Sequence, residues 1–211
     1  NKKGPMPRHI NQLSVWKAIV AGSLGIAILI FALFATGSVA ALQTPRTHTA
    51  YRQSYSPVVD GDLSDWGDIS PLRLNRFTAA TIYRQIPDLF DSSAEYRLIW
   101  TTDALYVSAH MYDDIIISDS IDVWRDDEVE LAFDGFQDFG CNSDDHVYTI
   151  NADGRTTDFG DPTIQLPPDL QVGVRTVPGG WDIEIKIPAS HLGAGPLTAG
   201  KQFGFTVGLH D

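Results

Sequence analysis

"EVELAF", residues 128–133, sends Val129, Leu131 and Phe133 to one side and Glu128, Glu130 and Ala132 to the other. A period of two marks a strand with one buried face, because successive side chains leave a pleated backbone in opposite directions. The same alternation recurs in "LYVSAHMY" (105–112), "WDIEIKI" (181–187) and "FGFTVGL" (203–209). Leu105, Val107, Ala109 and Met111 share a face in the first, Trp181, Ile183, Ile185 and Ile187 in the second, and Phe203, Phe205, Val207 and Leu209 in the third. Turn residues stand between these segments, as in "NADG" (151–154) and "PGG" (178–180), and no long amphipathic helix interrupts them. The expected fold class is therefore all-β, an antiparallel β-sandwich.

Upstream the chain changes character. Residues 1–59 hold no Asp or Glu and six Lys or Arg, whereas residues 60–211 hold all 27 acids against nine bases, a net charge of −18. So acidic a domain repels a phosphate backbone, which excludes nucleic acid as a partner and favours cations. From Ala18 to Leu42 no charge occurs, and 25 residues of helix reach about 37 Å against a hydrocarbon core of about 30 Å. One transmembrane α-helix is expected there. Lys2, Lys3, Arg8 and Lys17 precede it, which puts the N-terminus in the cytoplasm and the acidic domain outside as a single-pass membrane protein. "SVA" before Ala41 also fits a cleaved signal peptide; an uncleaved signal anchor is expected. Ala18, Gly22, Gly25 and Ala32 lie on one helix face, where small residues admit a second transmembrane helix, although such residues are common in membrane helices anyway. The domain plan is thus a cytoplasmic tail (1–17), a transmembrane helix (18–42), a polar tether (43–57) and a β-sandwich (58–211).

The acid-rich stretches are candidate metal loops. "DGDLSDWGD" (60–68) fails as an EF-hand, with Asp65 where the sixth position needs Gly and Pro71 where the twelfth needs Glu, so it reads as a turn with Trp66 packed beneath it. "DGFQDFGCNSDDH" (134–146) and "DFGDP" (158–162) could wrap a structural Ca2+ or simply form a solvated acidic face. The lone Cys141 excludes an internal disulfide and a cysteine metal cluster. There is no G-x-S-x-G elbow, no H-E-x-x-H and no phosphate loop, and the reading is a non-enzyme. Trp124 immediately precedes the strand carrying Glu128 and Glu130. An indole face with a nearby carboxylate suits a sugar ring and its hydroxyls; the competing reading has Trp124 capping the sandwich edge.

Together "VVDGDLSDW", "RLIWTTDALYVSAHMYDD", "WRDDEVELAFD", "HVYTINADG", "GGWDIEIKIPASHLG" and "FGFTVGLHD" resemble, in order over residues 56–211, the family 9 carbohydrate-binding modules, part of a wider DOMON-like superfamily in which some domains bind haem. The resemblance implies that "VDGDLSDW" leads into the first strand. It also implies a glycan end held between two tryptophans, with structural calcium in several members. Trp124 matches the first tryptophan and Glu130 a sugar-contacting glutamate, while Thr149 stands where the family has a sugar-binding arginine. The second tryptophan belongs to a segment beyond Asp211, so either the chain continues or the module has lost the usual activity. Carbohydrate binding through Trp124, Glu130 and Thr149 is the leading expectation. An accessory subunit of a membrane complex with a degenerate sugar site is the alternative. Haem binding through Met111 or His110 is a lesser one, limited by the absence of C-x-x-C-H and by the opposite faces of adjacent strand residues.

Overall fold

A computed structural model describes residues 47–79, 89–138, 142–193 and 195–211. The chain divides into two units, 1–44 and 45–211, and every described residue lies in the second. The expected helix at 18–42 falls outside the described residues; among those described, no helix is long and apolar enough to cross a membrane.

Among the described residues ten strands form two sheets: β1 (Tyr51–Arg52), β2 (Leu72–Leu74), β3 (Ser93–Trp100), β4 (Ala104–Tyr112), β5 (Glu128–Asp134), β6 (Asp145–Asn151), β7 (Thr156–Asp158), β8 (Gln171–Val177), β9 (Gly180–Pro188) and β10 (Gly204–His210). One sheet runs β1-β3-β4-β9-β8 with β2 also on β3; the other runs β10-β5-β6-β7. All pairings are antiparallel except β1 with β3. The apolar sets read from the sequence meet between the layers. Val107, Val129, Leu131, Ile150, Ile183, Ile185 and Ile187 are fully buried there, each stabilising the fold by roughly 1.5–3 kcal/mol relative to exposure. β10, an edge strand, contributes Phe203's neighbours Phe205, Val207 and Leu209 as half-buried packing.

The aspartate-rich stretch has a specific task. Instead of running straight into a strand, it folds as a 3-10 turn, Leu63–Trp66, with Asp62 capping it through the Ser64 N–H at 3.1 Å. Trp66 packs on Ile99, Ala104 and Tyr106, which belong to the outer face of the six-stranded sheet because their chain neighbours Leu98 and Leu105 face the core. Its indole Nε1 donates to Glu184 Oε1 at 2.5 Å, and the Asp60 and Gly61 amides donate to Glu184 Oε2 at 2.9 and 2.7 Å. Glu184 is fully buried, and burial pushes its carboxyl upward while the three donors pull it down. Gly61, at φ 83°, sits so close to β8 that a Cβ would lie 2.8 Å from the Val174 carbonyl carbon.

Part of the stretch expected as a tether is built into the sheet. Tyr51 and Arg52 pair with Ile99 and Trp100, the Trp100 indole donates to the Ala50 carbonyl at 3.2 Å and Gln53 N–H to the Trp100 carbonyl at 2.9 Å. A polar, aperiodic segment can add to an exposed strand edge through its backbone alone.

Candidate functional site

Val129, Leu131 and Phe133 fill the core, so Glu128, Glu130 and Asp134 line the opposite face of the four-stranded sheet, as the alternation required. Register extends that face across its neighbours. Glu130 stands opposite Thr149 on β6 and Gly208 on β10, Glu128 opposite Asn151 and His210, and Thr149 opposite Thr157 on β7. The result is a polar surface on which the Glu130 side chain lies against Gly208, where a Cβ would meet its Oε2 at 3.4 Å.

The β4–β5 connection crosses one end of this face and carries Trp124. Its anchors are two buried acids. Asp126 accepts from Ser120 N–H at 2.8 Å, from Asn151 Nδ2 at 2.8 Å and from Arg155. Asp127 accepts from the Ile117 N–H, while its own N–H donates to the Ile117 carbonyl at 2.8 Å. Burial pushes Asp127 up to about 7, against the Ile117 amide and helped by Asp113. Thus fixed, Val123–Arg125 forms a single 3-10 turn separated from β5 by Asp126 and Asp127, with Val123 buried and Trp124 half exposed at 50%. The Arg125 guanidinium lies 4.6 Å from the Trp124 ring centroid and 3.4 Å from Asp122, which steadies the indole through a cation–π contact. Ile115, Ile117 and Ile121 are exposed on the same connection, so the rim is apolar while the floor is polar.

The three residues expected from the sequence therefore fare differently. Trp124 is not sealed in the core, and Glu130 keeps 37% of its side chain exposed. Thr149 shares their face but is only 1% exposed, so its neighbours screen it from solvent. His210, which sequence reasoning passed over, joins them: its Nε2 lies 3.6 Å from Glu130 and its Nδ1 3.6 Å from Glu128. Glu130 raises the His210 imidazole, burial opposes and Glu128 adds to the rise. Glu128 is fully buried; burial pushes its carboxyl up to about 8, opposed by His210 and aided by Glu130 and Asp126.

Of the two acid loops, one brings carboxylates together. One oxygen each from Asp134, Asp144 and Asp145 lie within 4.8 Å of one another, and Asp144 Oδ1 is buried without a hydrogen-bond partner. An all-oxygen set with an orphaned buried acceptor fits calcium. "DFGDP" is otherwise engaged: Asp158 accepts from Val147 N–H at 2.9 Å and pairs with His146 Nδ1 at 2.6 Å, and Asp161 caps Thr163. His110 and Met111 are divided between faces, His110 paired with Asp182 at 2.6 Å and Met111 buried in the core, so they do not share an axis through one iron.

A family model described as "Carbohydrate family 9 binding domain-like" matches residues 59–211. Among curated proteins, endo-1,4-beta-xylanase A of Thermotoga maritima and that of Thermotoga neapolitana are each 23% identical over 159 residues, 74% of this chain; the chain spans 14% of their length. Among solved structures, a carbohydrate binding module family 9 from Caldicellulosiruptor kristjanssonii in complex with cellotriose superposes with a TM-score of 0.59 at 23% identity, covering 76% of each chain. The same organism's family 9 module in complex with glucose gives 0.55 at 22% identity, covering 79% of this chain and 78% of the other. These likenesses establish the fold.

Proposed function

The chain belongs to the carbohydrate family 9 binding domain-like family, and from that premise we propose that it is a non-catalytic carbohydrate-binding protein whose site is the polar face of the four-stranded sheet beside Trp124. The observation that carries the reading is the half-exposed Trp124 indole on a turn pinned at the edge of the face where Glu130 is accessible. An indole offers a flat apolar surface to the C–H side of a pyranose, and a carboxylate accepts hydroxyl hydrogen bonds of about 1.5–3 kcal/mol each when charged. Arg125 occupies one side of the ring and leaves the sugar the other. Thr149 acts from below, as the cross-strand support of Glu130. Gluco-oligosaccharides are the substrate class to try first, because the superposed modules hold cellotriose and glucose. Titration calorimetry of the chain against cellotriose, glucose and a wider glycan panel, with calcium present, tests it: saturable binding supports the reading, and silence across the panel removes it.

Calcium at Asp134, Asp144 and Asp145 is part of the proposal, as a structural ion that rigidifies the β5–β6 connection. So is display outside the cytoplasmic membrane on a helix over 18–42, which rests on the uncharged 25-residue run and the basic residues before it. The exposed Ile115, Ile117 and Ile121 favour one further reading. In it the sandwich packs on a protein partner, as an accessory subunit whose helix docks through Ala18, Gly22, Gly25 and Ala32. Purification in mild detergent separates the two: a chain that runs alone at its own mass is not a subunit.

A further inference from the structure

Three ligand-type side chains converge where β10 meets β5. His210 stands directly opposite Glu128, and Glu130 lies two residues along on the same face. Nδ1 is 3.6 Å from Glu128 Oε1 and Nε2 is 3.6 Å from Glu130 Oε2, and with one ring nitrogen and one oxygen of each carboxylate the three ligating atoms lie within 4.8 Å of one another. A gap of 3.6 Å is too long for a hydrogen bond. One ring nitrogen serves one ion, so one of the two gaps is a ligand–ligand separation; it is close to the roughly 3.3 Å between two ligands of a tetrahedral ion with bonds of about 2.0–2.1 Å, and the third ligand lies within 4.8 Å. Independently, Glu128 is fully buried and neither of its carboxylate oxygens accepts a hydrogen bond from the protein. A carboxylate in that position needs a proton, a partner or an ion. Glu130 and His210 are partly exposed, which leaves a path for a small ion from solvent.

We propose that Glu128, Glu130 and His210 form a binding site for a divalent ion of the zinc class, with at least one coordination position open toward solvent. One imidazole nitrogen with two carboxylates suits zinc and its first-row neighbours better than calcium, which takes oxygen ligands. The contrast is internal to the molecule, since the Asp134–Asp144–Asp145 group offers oxygen alone. The inference goes beyond the sugar reading. It shares Glu130 with that reading, but none of its observations involves a sugar.

The test uses the full chain without a polyhistidine tag, stripped with chelator and returned to buffer holding excess calcium, so that the all-oxygen group is filled. Calorimetric titration with zinc chloride at neutral pH is expected to show one saturable equivalent, weakened at least tenfold in both Glu128→Gln and His210→Ala. Cobalt in place of zinc is expected to give visible d–d absorption that the His210→Ala protein lacks. Glu128→Gln keeps the shape of the side chain and His210 lies on an edge strand, and circular dichroism confirms that each variant is folded. Absence of saturable zinc binding in the wild type overturns the proposal, as does undiminished binding in either variant. Sugar is absent throughout, so failure of the carbohydrate reading leaves the result standing.

Discussion

Glu184→Gln is a one-atom change with a large expected effect. In the wild type one oxygen takes the Asp60 and Gly61 amides and the other takes the Trp66 indole, all in a fully buried position. A glutamine has a single acceptor oxygen. Turned toward the two amides, it sets its own NH2 against the indole N–H, which is left unpaired at about 1–3 kcal/mol. The two retained bonds lose the strengthening of a charged acceptor, on the order of 1 kcal/mol each. Relief from burying a charge returns part of this, on the order of 1–2 kcal/mol. The net expectation is destabilisation by about 2–3 kcal/mol in urea unfolding followed by far-UV circular dichroism. Repeating the substitution in a Trp66→Phe background should cost about 1–2 kcal/mol less, because the orphaned donor is gone. A loss below about 0.5 kcal/mol, or additivity of the two substitutions within that margin, would mean that Glu184 does not hold the Trp66 turn through these bonds.

Gly173→Ala should destabilise by about 1–3 kcal/mol in the same assay, since its Cβ would lie 2.6 Å from the Gly61 amide nitrogen and 2.7 Å from that of Asp60. Chelation of calcium should lower the thermal midpoint by about 5–10 °C if the ion is present at roughly 100 times its dissociation constant, and Asp144→Asn should remove the response. His191 Nδ1 pairs with the Tyr148 hydroxyl, and burial followed by the neighbouring His146 holds its pKa below the usual 6.5. Its stabilising contribution is therefore complete above pH 6.5 and is lost as pH falls through the lowered value. The stability gap between wild type and His191→Asn should be widest near pH 8 and narrow toward pH 5, and a gap that widens on acidification would contradict this.

The sheet strands at 105–111, 129–133 and 181–187 were legible because each buries one face, and a period of two records that burial directly in the residue types. The common face of Glu128, Glu130 and Asp134 followed from the same geometry. Alternation, however, says only that Glu184 points away from the core. It cannot say that Trp66, 118 residues earlier, roofs that outer face and turns an outward acid into a fully buried one. The same limit hid Thr149, whose outward direction suggested access that its neighbours deny. His210 went unnoticed because its role depends on register, and the pairing of residues 210 and 128 is a long-range fact with no local signature. Tyr51 and Arg52 carry no strand period because a two-residue pairing on a sheet edge is made by backbone groups alone. Trp124 was legible in kind, a tryptophan in a polar segment, while the buried Asp126 and Asp127 that hold its turn in place emerge from the fold.

The proposed carbohydrate site stands or falls with Trp124. Cellotriose titrated into wild type and Trp124→Ala, both shown folded by circular dichroism, addresses it directly. Wild-type binding is expected to be saturable and weakened about 10- to 100-fold in the variant, a loss of roughly 1.4–2.8 kcal/mol, with the unfolding midpoint nearly unchanged. Equal affinity in the two proteins, or a variant that unfolds because the indole was holding the sandwich edge together, would contradict it.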